Sequence, residues 1–342
     1  MITKRITEPY LCPQYVKDTT FVVADGADWN APCLQVKKEG TEFHNVELKY
    51  EGSVTPGKWW RSIEVQADNV KFQNVTQYGL NYTPRVHQAG IVFKECKNAV
   101  LREVRSFRTS IHFGIWFEGV ENWFMDECKS QFATMDGFKV DSKPKSSMNG
   151  VGYRCEFSKN GFQDGKPAGE APMPGAPRLC LHFEERPFAV NSDGMDWATC
   201  QNCWMVDCKA FENYDGGFVI KNADKEKQKV LNRQNKLIDC EAYQNRTNGF
   251  QFWDVDDCQL ESCVSYENGN GAHVYGRDCL VDIRAYNNRK AGISIDEKSS
   301  RCEFLIGQLS RNRWNVIERN ARAGHILAKD RDELVRKRKR LK

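Results

Sequence analysis

Aspartates recur immediately before glycine at Asp136, Asp193 and Asp215, and asparagines take the same place at Asn248 and Asn270. Asp193 and Asp215 stand about one repeat apart. If successive repeats stack, their carboxylates approach to about 5 Å and repel by roughly 3 kcal/mol at an effective dielectric of about 20. A bound cation, a shared proton or a neighbouring lysine must relieve that repulsion. Asp196 adds a third oxygen donor, and oxygen-only sets suit Ca²⁺. Asp193, Asp196 and Asp215 are therefore the candidate metal ligands and Ca²⁺ the candidate cofactor, with aspartate in an ordinary solvated turn as the alternative. Lys139, Lys221 and His273 are the candidate bases, which for a lysine requires a lowered pKa. Trp116, Trp253 and Tyr275 offer aromatic faces on which a ring-shaped ligand can stack, with Asp196 and Gln251 as polar contacts.

These residues are positioned by a repeat. "CKAFENYDGGF" (from Cys208) returns as "CEAYQNRTNGF" (from Cys240) and, loosened, as "CVSYENGNGAH" (from Cys263). Earlier versions begin at Val75, Val104, Cys128 and Cys155, and a later one at Ile283. The step from Cys155 to Cys208 is long enough for two units. Each unit reads as short alternating strands broken by Asn, Gly and Asp, with no helical period. Leucine-rich repeats lack their consensus here, and propeller blades need longer units. The expected fold is all-β, a single-stranded right-handed parallel β-helix. Its Cys or Val, aromatic and Asn positions should stack in files, with Asn and Gly accepting left-handed turn geometry.

The coils are expected over 33–311, behind an N-terminal cap at 1–32 and ahead of a basic helical tail at 312–342. Insertions are expected near 160–178, rich in Pro and Gly, and near 222–236, which is charged. Alternation after each turn glycine places Ile115, Phe138, Met195, Phe218, Phe250 and Ile293 inward. Trp116, Lys139, Asp196, Val219, Gln251, His273 and Ser294 then form an outward column, with Glu118, Asp141, Ala198, Lys221, Trp253, Tyr275 and Asp296 two residues further on.

The 14 cysteines follow the repeat. Cys200 and Cys203 form one CxxC without a second to complete zinc, so buried free thiols are expected. No apolar run is long enough to span a membrane. The opening "MITKRITEPYLCPQYVKD" has no apolar signal stretch, which leads to an expectation of cytoplasmic synthesis. The body is slightly acidic, whereas Arg311–Lys342 is strongly basic and ends in "RKRKRLK". Sequons at Asn74, Asn81 and Asn245 read as chance.

"NSDGMDWATCQNCWMVDCKAFENYDGGF" with "IDCEAYQNRTNGFQF" resembles the core of pectate-lyase-like β-helices, closest to family 9 polysaccharide lyases. The resemblance implies Ca²⁺ bound by aspartates in successive turns and a lysine that removes the proton beside a uronate carboxylate. Asp193 and Asp215 match metal ligands. Gly216 and Val219 replace two further aspartates, and Gln251 replaces the lysine. Three functions follow as expectations. The first is a carbohydrate-engaging protein of a phage virion, a tailspike or surface component, assembled as a homo-oligomer and plausibly a trimer. The second is an active Ca²⁺-dependent lyase on uronate glycans, using a relocated base. The third is a structural rod whose basic tail docks an acidic protein or nucleic acid.

Overall fold

Each repeated phrase forms one turn of a parallel stack. The computed structural model describes residues 1–52, 59–80, 87–110, 112–141, 147–163, 166–167, 192–222, 232–318, 324–329 and 333. Among them, the strands form an 18-stranded and a 12-stranded sheet, whose ladders are parallel. One antiparallel pair, Phe162–Gln163 with Lys166–Pro167, stands apart. The fold is an all-β parallel β-helix.

The cysteine file is present. The amide of Glu241 donates to Cys208 O at 2.9 Å, and that of Val264 to Cys240 O at 2.9 Å, so Cys208, Cys240 and Cys263 occupy successive rungs. Lys209 N likewise donates to Cys155 O at 2.8 Å. The interval from Cys155 to Cys208 is thus a single coil carrying a long insertion, not two coils. Every described cysteine is a buried free thiol, Cys200 and Cys203 included.

The recurring asparagine of the phrase serves a different purpose from the one expected. Asn160, Asn213, Asn245, Asn268 and Asn288 are buried, and the backbone N–H of each of the first four donates to the side-chain oxygen of the next at 2.9–3.1 Å. Asn245 Nδ2 also donates to Ala210 O at 3.0 Å and Asn268 Oδ1 at 2.9 Å. This amide ladder satisfies backbone groups at a buried corner. Positive φ falls instead on the residue before it, at Glu212, Gln244, Glu267 and Asn287. The sequon at Asn245 is inaccessible, and Asn74 hydrogen-bonds Asn45 at 3.0 Å.

The turn glycine is required for close approach. A Cβ on Gly217 would lie 2.5 Å from Gly249 O and 2.8 Å from Asn245 Nδ2. Inside, the inward positions form a continuous apolar core that includes Phe117, Phe138, Met195, Phe218 and Phe250.

Stacking extends past both expected boundaries. Ile2–Ile6 pairs in parallel with Tyr15–Val23, making 1–32 part of the first rungs. At the other end, Trp314–Glu318 pairs with Ala291–Ile295, and Ile326–Ala328 with Glu303–Ser310. Within the segment expected to be a helical tail, Trp314–Glu318 and Ile326–Ala328 are thus strands, while most of 330–342 lies outside the described residues. Its basic end, Arg336–Lys342, lies outside the described residues, as do 223–231 of one insertion and 168–178 of the other. Among the described residues, no helix is long and apolar enough to cross a membrane.

Candidate functional site

The outward column lies on the 12-stranded sheet. Register pairs Trp116 with Lys139, Lys139 with Asp196, Asp196 with Val219, Val219 with Gln251, Gln251 with His273 and His273 with Ser294. Lys221, Trp253 and Tyr275 line up two residues further along. The column splits into a buried ionic cluster in its middle and an open groove towards the C-terminal coils.

In the cluster, Asp136, Asp193 and Asp196 bring carboxylate oxygens within 4.8 Å of one another. Asp136 belongs to this triad and Asp215 does not. The sequence reading paired Asp193 with Asp215 by treating Gly216 as the turn glycine. In the structure Met195 N donates to Gly217 O at 2.9 Å, so Gly217 is the equivalent of Gly194. Gly216 then stands beside Asp193 and donates its N–H to Asp193 Oδ1 at 2.7 Å. Asp215, one residue off register, accepts the Thr247 hydroxyl at 2.7 Å. On the other side, Asp193 N donates to Asp136 Oδ1 at 3.0 Å. Asp136 held the same place before its glycine, which was the available signal.

Lys139 and Lys221 supply the balancing charge. Both ion-pair with Asp196 Oδ2, Lys221 at 2.7 Å, and Lys139 also lies 3.5 Å from Asp136 Oδ2. Phe113 covers Lys139, whose Nζ is 5.5 Å from the ring centroid. Although outward in the strand pattern, Lys139 is only 7% exposed and Asp196 is fully buried. Burial works against both ammonium groups, but the surrounding carboxylates, Asp196 foremost, together outweigh it and hold both lysines above the ordinary lysine range. Burial also opposes charge on Asp196, yet the two lysines hold it below the usual carboxylate range. Neither Lys139 nor Lys221 is thus a free amine ready to accept a proton at neutral pH.

The same observation bears on Ca²⁺. A calcium site takes about 6–8 oxygen ligands, whereas this triad already holds two ammonium groups against its central carboxylate. A divalent cation would have to displace Lys139, so with both lysines in place the residues do not fit the ion.

Burial, partly offset by Lys139, pushes Asp136 up to about 7. Burial, then the charges of Asp215 and Asp136, push Asp193 well above the ordinary aspartate value. An acid whose folded pKa is raised loses stability as pH climbs from its unfolded pKa through its folded one. Unfolding free energy should therefore fall between about pH 4 and pH 7 for Asp136, by up to roughly 1.4 kcal/mol per pH unit, and Asp193 adds a fall of the same sign. Asp136→Asn keeps the amide-accepting oxygen and should flatten this slope in urea titrations; an unchanged slope would refute the assignment.

The groove, about 630 Å³, is lined by Gln251, Trp253 and His273 of the column together with Arg246, Lys290, Arg313 and Trp314. Trp253 is 44% and Trp314 56% exposed. Trp253 packs against His273 at 5.9 Å and edge-on against Tyr275 at 5.7 Å between ring centroids. Asn248 Nδ2 donates to Gln251 Oε1 at 2.8 Å, which orients that amide. None of the described lining residues is acidic. Arg246 lies over the Tyr214 ring at 4.3 Å. Among the described residues, Arg246, Lys290 and Arg313 have no carboxylate partner. Sequence reading missed these cations and Trp314. Arg246 and Arg313 each follow a ladder asparagine, and Lys290 follows one by two residues, which is the signal that could have found them. Trp116 sits at the opposite end, against His112 at 4.8 Å.

No family model matches the chain, nor does any curated protein. Solved structures do match. The A-module of Azotobacter vinelandii mannuronan C-5 epimerase AlgE4 gives a TM-score of 0.61 at 12% identity, over 92% of this chain and 90% of that one. The Dettilon tailspike protein gp208 gives 0.56 at 12% identity, over 91% of this chain and 61% of the tailspike. Pectate lyase Pel9A gives 0.50 at 10%, over 90% and 70% respectively. At such identities the likeness is one of architecture alone, and that architecture is the parallel β-helix.

Proposed function

We propose that this chain is a carbohydrate-binding β-helix that holds a polysaccharide against the C-terminal half of its 12-stranded sheet, as a tailspike or other surface component of a virion. The observation that carries the reading is the groove, in which two exposed tryptophans stand among three cations lacking carboxylate partners among the described residues. Indole faces stack on sugar rings, and guanidinium and ammonium groups pair with carboxylate or other anionic substituents. The fold-level likeness to a tailspike supports the virion role, and a side-by-side homotrimer belongs to the same reading. The test is retention on a panel of bacterial polysaccharides, acidic and neutral. Retention of acidic members, weakening with salt, is expected; no retention of any member would overturn the reading.

A second reading, β-elimination on a uronate glycan, is favoured by His273, which lines the groove next to Gln251 in register. With Lys139 and Lys221 held charged, His273 is the remaining candidate base. Unsaturated products absorbing in the ultraviolet, lost in His273→Ala and unaffected by EDTA, would support it; their absence on polyuronates removes it.

A further inference from the structure

The same sheet carries a second concavity, at the other end of the column. A pocket of about 240 Å³ is bounded by Trp59, Arg61, His112, Trp116, Asn30 and Pro32. That is below the ~300–1,000 Å³ typical of drug-sized ligands, and it suits one ring rather than a chain. Trp59 is 51% exposed and meets His112 edge-on at 5.8 Å, while His112 lies tilted against Trp116 at 4.8 Å. Its one guanidinium is already neutralised: Arg61 ion-pairs with the buried Glu64 at 2.6 Å. The walls are thus aromatic and nearly uncharged, in contrast to the cationic groove.

We propose that this pocket is a second saccharide subsite, taking an uncharged pyranose ring of the same glycan whose acidic portion lies in the groove. This rests on the carbohydrate reading above. Continuity of the face argues for it. The pocket is built on strands Trp59–Val65, His87–Lys94 and Ile115–Glu118, and the groove begins at Asn248–Asp256 of the same sheet. From Ile115–Glu118 the order runs through Phe138–Asp141, Met195–Ala198 and Phe218–Lys221 to Asn248–Asp256. Those four rung spacings of about 4.8 Å separate Trp116 from the groove's first strand by roughly 19 Å. The buried ionic cluster forms the floor between them. A chain long enough to reach both ends gains affinity because its second contact becomes intramolecular.

The test titrates the full chain with length-graded fragments of a polysaccharide that alternates uronate and neutral rings. Affinity should rise by about tenfold or more once a fragment spans both ends. Trp59→Ala should abolish that rise while leaving two-ring fragments bound in the groove as before, with its unfolding curve recorded as a control on folding. Absence of a length-dependent rise, or its persistence in Trp59→Ala and in Trp116→Phe, overturns the second subsite but leaves the groove standing. Failure of every fragment to bind the unmodified protein overturns both readings together.

Discussion

Replacing Asp196 by alanine should cost about 3–5 kcal/mol of unfolding free energy, because it leaves buried ammonium groups without their shared counter-charge. Asp196 Oδ2 is the atom on which Lys139 and Lys221 converge, and the carboxylate is fully buried. Truncation removes both pairs at once, whereas losing Lys221, whose side chain is 21% exposed, should cost less. Asp196→Asn keeps the shape and loses the charge, so most of the cost should persist in it. Urea unfolding at neutral pH measures both variants. A combined Lys139→Met, Lys221→Met and Asp196→Leu variant should recover much of the loss, since apolar groups of similar size can replace a buried ionic cluster at little cost. Calcium and EDTA should leave the unmodified protein's melting temperature unchanged, because two lysines already occupy the cation's place. A saturable rise with Ca²⁺ would contradict that.

The second large effect concerns the groove. Trp253→Ala should weaken binding of an acidic polysaccharide by about 10- to 100-fold, the range of a tryptophan hot spot worth about 2 kcal/mol or more. Arg313→Ala should weaken it too, and should also make the remaining affinity less sensitive to salt, since that side chain contributes through charge. The two variants therefore differ in kind: the tryptophan change lowers affinity at every ionic strength, the arginine change chiefly at low salt. Equal salt dependence in both would argue against an electrostatic role for Arg313. Both residues are exposed or at the rim of the stack, so folding should be little affected.

The repeated phrase made the architecture readable because a solenoid writes its third dimension into its sequence. A residue's neighbour in space is its equivalent one coil later, and alternation fixes facing. That is why the column from Trp116 to Ser294 could be drawn strand by strand. Three features were not readable, each for a physical reason. The Asp215-Gly-Gly sequence offers two glycines, and only the close approach of Gly217 to Gly249 decides between them. Lys139 looks solvent-facing by alternation, but its burial depends on Phe113 and on Asp196, which come from other coils. The strands Trp314–Glu318 and Ile326–Ala328 are too short to show a period, and the hydrogen bonds of the preceding rungs decide their conformation. The asparagine file was seen, but its chemistry was misjudged: as a buried amide ladder it needs a stack to exist before it has any role.

Whether the function resides on the 12-stranded sheet is tested most directly by hydroxyl-radical footprinting of the full chain, with and without a retained polysaccharide. Oxidation of Trp253, Trp314 and Tyr275 should fall on binding, while the stacked Tyr243, Tyr266 and Tyr286 on the other sheet stay as reactive as before. Protection of those three tyrosines with the tryptophans unchanged would contradict the account.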